Sequence, residues 1–374
     1  MARTQILPTD PGAVKKWETE VSVEMTKKSA FTKMTGGEKS ALPVVRKTSL
    51  ESGAGDEVTM YLIAKLVGKP REGSEKLAGF EDKLNHHTDK LRIDKHRKAV
   101  NVGDVMDQKR VPYDIAEQAK ARLSDWAAEV HDEQITMTAS GARGAGSEIQ
   151  HYPTTYTGFP NAFEAPDTGH RQIYDGTVAY GSLVTATHKL GLGVIDAAVL
   201  KAKKMIGDIN GGNAIKMTPC AVDGGKHFVF LTGAEGNYDL RREVGDAGFL
   251  TLEKAKMAAE GSKGVIFTGG KWFYNGVLGD EVQTIVKFND GGAGTVPVMR
   301  SLFLGAHAVA VAYGTKGQQN GSRYELKDSD LDHGEEEVVV IRLIAGYKKC
   351  RFNSMDAGML SVDHTYTLAA GYTI

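Results

Sequence analysis

Cysteine is scarce in this 374-residue chain, which contains only Cys220 and Cys350. Two thiols so far apart in sequence are too few for the disulfide framework of a secreted protein, and they fit a reducing cytosol. The two residues could still pair in the fold, but we expect two buried free thiols.

An excess of either charge is also missing, since 46 Lys and Arg balance 47 Asp and Glu and leave a net charge of −1. Proteins that grip DNA carry a basic excess on at least one domain, so sequence-specific DNA binding is disfavoured. No stretch approaches the ~20 apolar residues that span a membrane. No apolar run follows Met1–Gln5, so we expect no signal peptide and synthesis in the cytoplasm.

Glycine, by contrast, is abundant, with 44 residues. This content favours turns, long loops and hairpins over a helical bundle. The length allows one to three folding units. Together with the apolar patterns below, these features predict an α+β protein.

Residues 1–56 have the composition of an extended arm, with Pro8, Pro11 and Pro43 and little apolar periodicity. One stretch, 14–25, could form a helix, although it could not stay folded alone. Nine Lys and Arg face five Asp and Glu among the first 50 residues, so the arm could follow the acidic edge of a neighbouring chain or reach DNA. We favour the neighbour, because four apolar side chains need cover: Trp17, Val21, Val23 and Phe31. We therefore expect the arm to contact another chain and to lie outside the folded core, so that it is removable up to residue 40 with little loss of stability.

Residues 57–104 predict a long β-hairpin. Apolar residues alternate from Val58 to Leu66, a polar excursion covers 68–89, and a second strand-like run begins near Lys90 and continues through Val102. The returning limb is rich in charge: Lys90, Arg92, Lys95, Arg97 and Lys98. This run is either a solvated face or a surface that meets acidic patches on a neighbouring subunit.

The clearest helix signal begins near Arg110, where Pro112 suits the first turn. One apolar stripe follows at spacings of three and four residues: Ile115, Ala119, Leu123, Trp126 and Val130. The pattern predicts a helix of roughly 40 Å that ends at Gly141. We expect Trp126 to be buried against a sheet.

Further along, 141–182 predicts a loop-rich excursion and 194–206 a second helix. Beyond it the chain alternates short helices and strands. The predicted strands are 228–231, 306–313 and 338–344, the predicted short helix is 250–259, and 291–294 predicts a loop.

Candidate catalytic and metal-binding patterns are incomplete. Gly141, Gly144 and Gly146 lack the preceding strand and following helix of a phosphate-binding loop. The spacing of Asp328, Asp330 and Asp332 is similar to the first half of a calcium-binding loop. His333 and Val339, however, stand where such a loop has its glycine and its final glutamate. We therefore predict a solvated acidic turn.

The histidines also lack the i,i+4 pairing of a zinc helix: His86, His87, His96, His151, His170 and His188. No Gly-x-Ser-x-Gly elbow is present, although a site could still be assembled from distant segments. We assign no catalytic, cofactor-binding or metal-binding residues and no cofactor.

Six blocks in a fixed order resemble the major capsid proteins of tailed bacteriophages typified by the podovirus N-four, over roughly residues 17–363. The blocks are 110–126, 195–203, 222–241, 266–277, 302–306 and 346–353. The clearest departures are the glycine-rich stretch 141–182 and the histidine-rich hairpin limb.

The resemblance implies the Hong Kong 97 type capsid fold. Its parts would be an N-terminal arm (1–56), an E-loop hairpin (57–104), a peripheral domain with the spine helix (105–211), an axial domain (212–300) and a return to the peripheral sheet (301–374). Arms and long hairpins expose strand edges that neighbouring subunits would cover.

The implied function is self-assembly into hexamers and pentamers of an icosahedral shell around a double-stranded DNA genome, with no enzymatic activity. Expected partners are other copies, portal and scaffolding proteins, a decoration protein and non-specifically held DNA, with no membrane. The expected location is the virion capsid. The alternatives are an encapsulin-like nanocompartment or a cytosolic enzyme with a non-local site.

Overall fold

The structure is a computed structural model of the chain. It describes residues 29–51, 54–63, 70–74, 76, 78–79, 81, 86–111, 114–205, 215–222, 225–243, 271–314, 324–331 and 336–368. Predictions for 14–25, the hairpin tip around 82–85 and the helix at 250–259 lie outside these residues.

Helices and strands alternate along the described chain, as the α+β prediction requires. The helices are α1 (Val105–Arg110), α2 (Ile115–Ser140), α3 (Leu192–Lys204) and α4 (Ala234–Arg241). The strands of the first half are β1 (Thr35–Gly36), β2 (Val44–Lys47), β3 (Glu57–Ile63), β4 (His86–Arg92), β5 (Asp94–Asp104) and β6 (Arg171–Ile173). Those of the second half are β7 (Cys220–Val222), β8 (Gly225–Thr232), β9 (Trp272–Tyr274), β10 (Val277–Glu281), β11 (Lys287–Gly291), β12 (Val296–Leu304), β13 (Val309–Tyr313), β14 (Tyr324–Leu331), β15 (Glu336–Lys349), β16 (Arg351–Phe352), β17 (Met355–Asp356) and β18 (Met359–Thr365).

Most of the described strands form two large sheets. A six-stranded sheet has the order β1-β2-β13-β15-β14, with β5 also paired to β15. An eight-stranded sheet has the order β6-β18-β12-β8-β10-β9, with β11 on β12 and β7 on β8. Strands β3 and β4 form a separate two-stranded hairpin. The predicted strands at 228–231 and 338–344 fall in β8 and β15, and the one at 306–313 corresponds to β13, which begins three residues later.

Helix α2 packs against both sheets. Its buried Leu123, Ala127 and Ile135 share one cluster with Val311 of the six-stranded sheet and Leu302 of the eight-stranded sheet. Aliphatic burial of this kind contributes about 25 cal/mol per Å² removed from water. The helix therefore joins the two sheets into one core.

The bounds of α2 follow from capping. The Asp114 carboxylate accepts hydrogen bonds from the backbone N–H of Ala116 and Glu117, and Gly141 ends the helix in the left-handed conformation at φ 72°. The predicted stop is confirmed, but the predicted start near Arg110 is wrong. Residues up to Arg110 form the separate helix α1, and the Pro112 prediction lies outside the described residues.

Helix α3 confirms the second predicted helix, two residues earlier at each end. Its Ile195, Ala198 and Val199 are buried in a cluster with Phe303 and Leu360 of the eight-stranded sheet. This helix therefore covers the eight-stranded sheet.

The hairpin is shorter than predicted, because the returning limb is divided at Ile93. Strand β4 pairs with β3, whereas β5 pairs with β15 from Ala345 to Glu336. The reason is packing: Val102 is buried and Val100 packs against the α2 cluster, so β5 belongs to the six-stranded sheet.

Two further predictions differ from the structure. Part of the predicted arm is core, since β2 pairs parallel with β13 and Phe31 and Val44 are buried in the α2 cluster. The return after residue 300 is also divided. Strands β13, β14 and β15 lie in the six-stranded sheet, but β18 pairs with β12 and β6 of the eight-stranded sheet.

Candidate inter-subunit surfaces

The two faces of the β3–β4 hairpin differ sharply. Met60 and Leu91 lie on the inner face and are buried in a cluster with Cys350 and Phe352. On the outer face, Tyr61 and Ile63 are 70% and 66% exposed. Two large apolar side chains at adjacent positions on one outer face form an exposed patch of the kind that marks a protein contact.

The charges at the base of the hairpin are largely satisfied within the subunit. The Glu57 carboxylate lies 2.7 Å from the Lys90 ammonium and 3.0 Å from the Arg92 guanidinium. Hydrogen bonds from Lys90 and Arg92 lower the pKa of Glu57. The other charged residues of the predicted run lie on β5, where Lys95 and Arg97 are exposed.

The segment before β1 is held on α2 by Asp132. The Asp132 carboxylate accepts the Ser29 hydroxyl at 2.6 Å and the Ala30 N–H at 2.9 Å. Burial raises the pKa of Asp132 to about 6, although the hydrogen bonds from Ser29 and Ala30 oppose the shift. The expectation that a neighbouring subunit covers Phe31 is therefore wrong, because its own core covers it.

Trp126 is half-buried, so the prediction of a fully buried ring is wrong. Its indole meets the His151 ring edge-on at 6.3 Å between centroids, and the Lys98 ammonium lies 4.8 Å from its centre. One side of the ring lines an open groove of about 630 Å³ between α2 and residues 281–284. Trp126 therefore lies at the edge of the apolar stripe of α2.

The sequence profile of the phage capsid protein family matches residues 6–368. The solved capsid of Ralstonia phage GP4 is 35% identical with a TM-score of 0.80, over 100% of both chains. This chain belongs to the phage capsid protein family. The resemblance to tailed-phage major capsid proteins is thereby confirmed, and the protein is a structural component of a phage shell.

Two more distant capsids share the fold of this capsid protein. The cyanophage Pam1 capsid asymmetric unit is 21% identical with a TM-score of 0.71, over 93% of this chain and 94% of that one. The acid-stable capsid of Helicobacter pylori bacteriophage KHP30 is 14% identical with a TM-score of 0.63, over 90% and 91%. The mixed helix and sheet architecture is thus the Hong Kong 97 type. No curated protein sequence matches the chain.

The acidic stretch of this capsid protein is not a solvated turn throughout. Asp328 lies on β14, and its carboxylate is 3.1 Å from the Lys120 ammonium of α2. Asp332 lies outside the described residues. Within the described ranges, no group of three or more His, Cys, Asp or Glu side chains is placed to bind a metal ion.

The glycine-rich stretch after α2 wraps around an arginine and not around a phosphate. The Arg143 guanidinium donates to the carbonyl oxygens of Tyr152 at 3.0 Å and Gly146 at 2.7 Å, and to that of Ile149. The loop prediction is confirmed, and the backbone carbonyls give the site the wrong polarity for an anion.

His170 and both cysteines are buried within the subunit. His170 is buried between Asp167, 2.9 Å away, and the Ile215 carbonyl oxygen, 3.0 Å away. Burial raises the pKa of Asp167, but the hydrogen bond and charge of His170 outweigh it and lower that pKa to about 2. Cys220 and Cys350 are buried free thiols, as expected, and burial raises both pKa values to about 12.

One pair that sequence reasoning missed resembles part of a hydrolase site. Ser301 Oγ lies 2.8 Å from His364 Nε2 and 3.0 Å from the Thr232 hydroxyl. However, His364 Nδ1 faces the Thr365 carbonyl oxygen, and all these side chains are completely buried. A nucleophile needs access to its substrate, so the pair is part of the core. Residues on β12 and β18 meet here through a pairing that the local sequence did not indicate.

Within the described part of the chain, no helix is both long and apolar enough to cross a membrane.

Proposed function

We propose that this protein is the repeating, non-enzymatic subunit of an icosahedral shell, arranged in hexamers and pentamers around a double-stranded DNA genome. The observation that carries the proposal is the outer face of the hairpin, where Tyr61 and Ile63 are exposed on strands whose inner face is fixed to the subunit. Exposed apolar patches mark contacts with other proteins, and head-to-tail contacts whose rotation closes around an axis form rings.

The structural elements fit the parts of such a subunit. The hairpin 57–92 is the E-loop, α2 is the spine helix, the six-stranded sheet belongs to the peripheral domain and the eight-stranded sheet belongs to the axial domain. Residues 1–28, together with the hairpin tip, are the assembly elements. This assignment transfers β5 and residues 29–51 to the peripheral domain, and it transfers β6, the end of β12 and β18 to the axial domain.

The balanced charge favours a protein that encloses DNA over one that binds DNA tightly. A net charge of −1 provides no strong electrostatic hold on phosphates, so the wall confines the genome with few specific contacts. Portal, scaffolding and decoration proteins are the further partners, and assembly takes place in the cytoplasm of the bacterial host before the subunit becomes part of the virion capsid.

The test is assembly of the purified protein, followed by electron microscopy and sedimentation. The double variant Tyr61→Ser with Ile63→Ser should keep the melting temperature of the unassembled subunit, because these side chains are exposed, and should lose closed shells. The matched control, Tyr61→Phe with Ile63→Val, keeps the patch apolar and should assemble.

Particles from the natural source complete the test. Double-stranded DNA inside them supports the proposal, whereas an enclosed enzyme would point to a nanocompartment. A wild-type protein that remains a monomer or small oligomer under all assembly conditions would contradict the proposal.

A further inference from the structure

The hairpin leaves the body of the subunit at Arg92, where β4 ends and β5 begins two residues later. The N–H of Ile93 donates to the Asp56 carbonyl oxygen at 2.9 Å, and Glu57 lies opposite Arg92. In an antiparallel ladder this makes Glu57 and Arg92 a pair without mutual hydrogen bonds. The N–H and C=O of Arg92 therefore point away from β3, toward the open edge of the hairpin.

The side-chain amide of Asn161 occupies this edge. Its Oδ1 accepts the Arg92 N–H at 3.0 Å, and its Nδ2 donates to the Arg92 carbonyl oxygen at 2.9 Å. The same Nδ2 donates to the Tyr347 carbonyl oxygen on β15 at 3.2 Å. The Asn161 amide thus makes the two hydrogen bonds that a neighbouring strand would make to Arg92. Its third hydrogen bond, to Tyr347, links the hairpin to the six-stranded sheet.

A second tie lies two residues further along the same edge. The Lys348 ammonium of β15 donates to the Lys90 carbonyl oxygen at 3.0 Å and to the Asp89 carboxylate. The side chains of Asp89 and Lys348 are mostly buried, at 11% and 14% exposure. Charge-assisted hydrogen bonds with little solvent around them hold geometry better than exposed ion pairs.

The body provides a fitted surface beneath these ties. A Cβ atom at Gly346 would lie 1.9 Å from the Arg92 carbonyl oxygen, so β15 approaches the joint closely only because it carries glycine there. Leu91, between the two tied residues, is completely buried against Cys350 and Phe352. The root of the hairpin is therefore fixed on three sides by its own subunit.

We propose that Asn161, together with the Asp89–Lys348 pair, sets the direction of the hairpin before a subunit meets its neighbour. Asn161 is thus a positioning residue for shell assembly, although it lies at the root and away from the exposed patch of Tyr61 and Ile63. The inference rests on the proposed shell function. A hairpin held at one angle presents the patch in one orientation, and a fixed orientation favours closure over irregular association.

Asn161→Asp is the direct test, because it keeps the shape and the acceptor for the Arg92 N–H but removes both donated hydrogen bonds. Amide hydrogen exchange of the unassembled subunit should become faster at Arg92 and along β4, and closed shells of wild-type diameter should give way to open or irregular assemblies. The control, Asn289→Asp, makes the same change at an exposed residue of β11 and should leave both readouts unchanged. Asp89→Asn tests the second tie in the same way, should Asn161→Asp fail to fold.

The two readouts separate the inference from the proposed function. Faster exchange at β4 with irregular assemblies supports the positioning role. Unchanged exchange, or shells of wild-type yield and diameter from Asn161→Asp and Asp89→Asn, would overturn it while leaving the shell function intact. A lowered melting temperature with correct shells would assign Asn161 a purely structural role, which also overturns the inference. Failure of the wild-type protein to form shells would count against the proposed function, and the exchange experiment would still test the joint.

Discussion

Two carboxylates in this capsid protein each lie between two cations, one in the eight-stranded sheet and one at the base of the hairpin. Asp363 on β18 is completely buried and accepts Arg300 Nε at 2.6 Å and Arg171 Nε at 2.8 Å. Glu57 on β3 contacts the exposed side chains of Lys90 and Arg92. A carboxylate between two cations thus occurs once in the buried interior and once at the solvent-exposed surface.

The buried ion pair stabilises the fold of the subunit, whereas the exposed hairpin is available for contacts between subunits. Arg300 also donates to the Ser140 carbonyl oxygen at the end of α2, at 3.0 Å, so the buried pair links the spine helix to the sheet. The hairpin instead presents its apolar outer face to solvent. Loss of a buried partner leaves a desolvated charge, whereas loss of an exposed one leaves a hydrated charge.

The largest effect is expected for Asp363→Ala. Because it leaves the Arg300 guanidinium buried without its counter-charge, we expect the free energy of unfolding to fall by about 3–5 kcal/mol. Urea denaturation of the unassembled subunit measures it, with Glu57→Ala as the matched control that should change little. Equal losses in the two variants would remove the distinction between the regions.

A second, smaller loss is expected for Phe31→Ala, which tests whether the segment before β1 belongs to the core. Phe31 is buried beside Met34 and Val44 in the α2 cluster, so its truncation should cost about 3 kcal/mol in the unassembled subunit. Thermal unfolding measures the change. Wild-type stability in Phe31→Ala, or in a chain lacking residues 1–40, would return this segment to the assembly elements.

The smallest effect concerns the carboxylate that holds this segment. The pKa of Asp132 is raised by burial to about 6, above its ordinary 3.8, so the folded state binds a proton that the unfolded state releases. Stability should therefore fall as pH rises from about 4 to about 6, by on the order of 2 kcal/mol. Asp132→Asn should flatten this slope, as measured by denaturation midpoints at pH 4.5, 5.5 and 7. Asp104→Asn, at an exposed position, is the control, and an unchanged slope in Asp132→Asn would exclude Asp132 as the source.

Local patterns in the sequence predicted the elements better than their partners. The spacing from Ile115 to Val130 and the stop at Gly141 located most of α2, because helical periodicity is a property of adjacent residues. Alternation also located β3, but it does not say which strand lies beside a limb, and the boundary between β4 and β5 was therefore missed. Asn161 meets Arg92 across 69 positions through a side-chain amide, and no periodicity marks such a contact.

The place of β18 has a consequence for the synthesis of the subunit. This strand, Met359–Thr365, lies between β12 and β6 in the eight-stranded sheet, and it carries Asp363. A ribosome makes this strand after both of its neighbours, because β6 and β12 precede it in the sequence. The eight-stranded sheet therefore cannot close before β18 is made, and the Asp363–Arg300 pair that reaches the end of α2 can form only then.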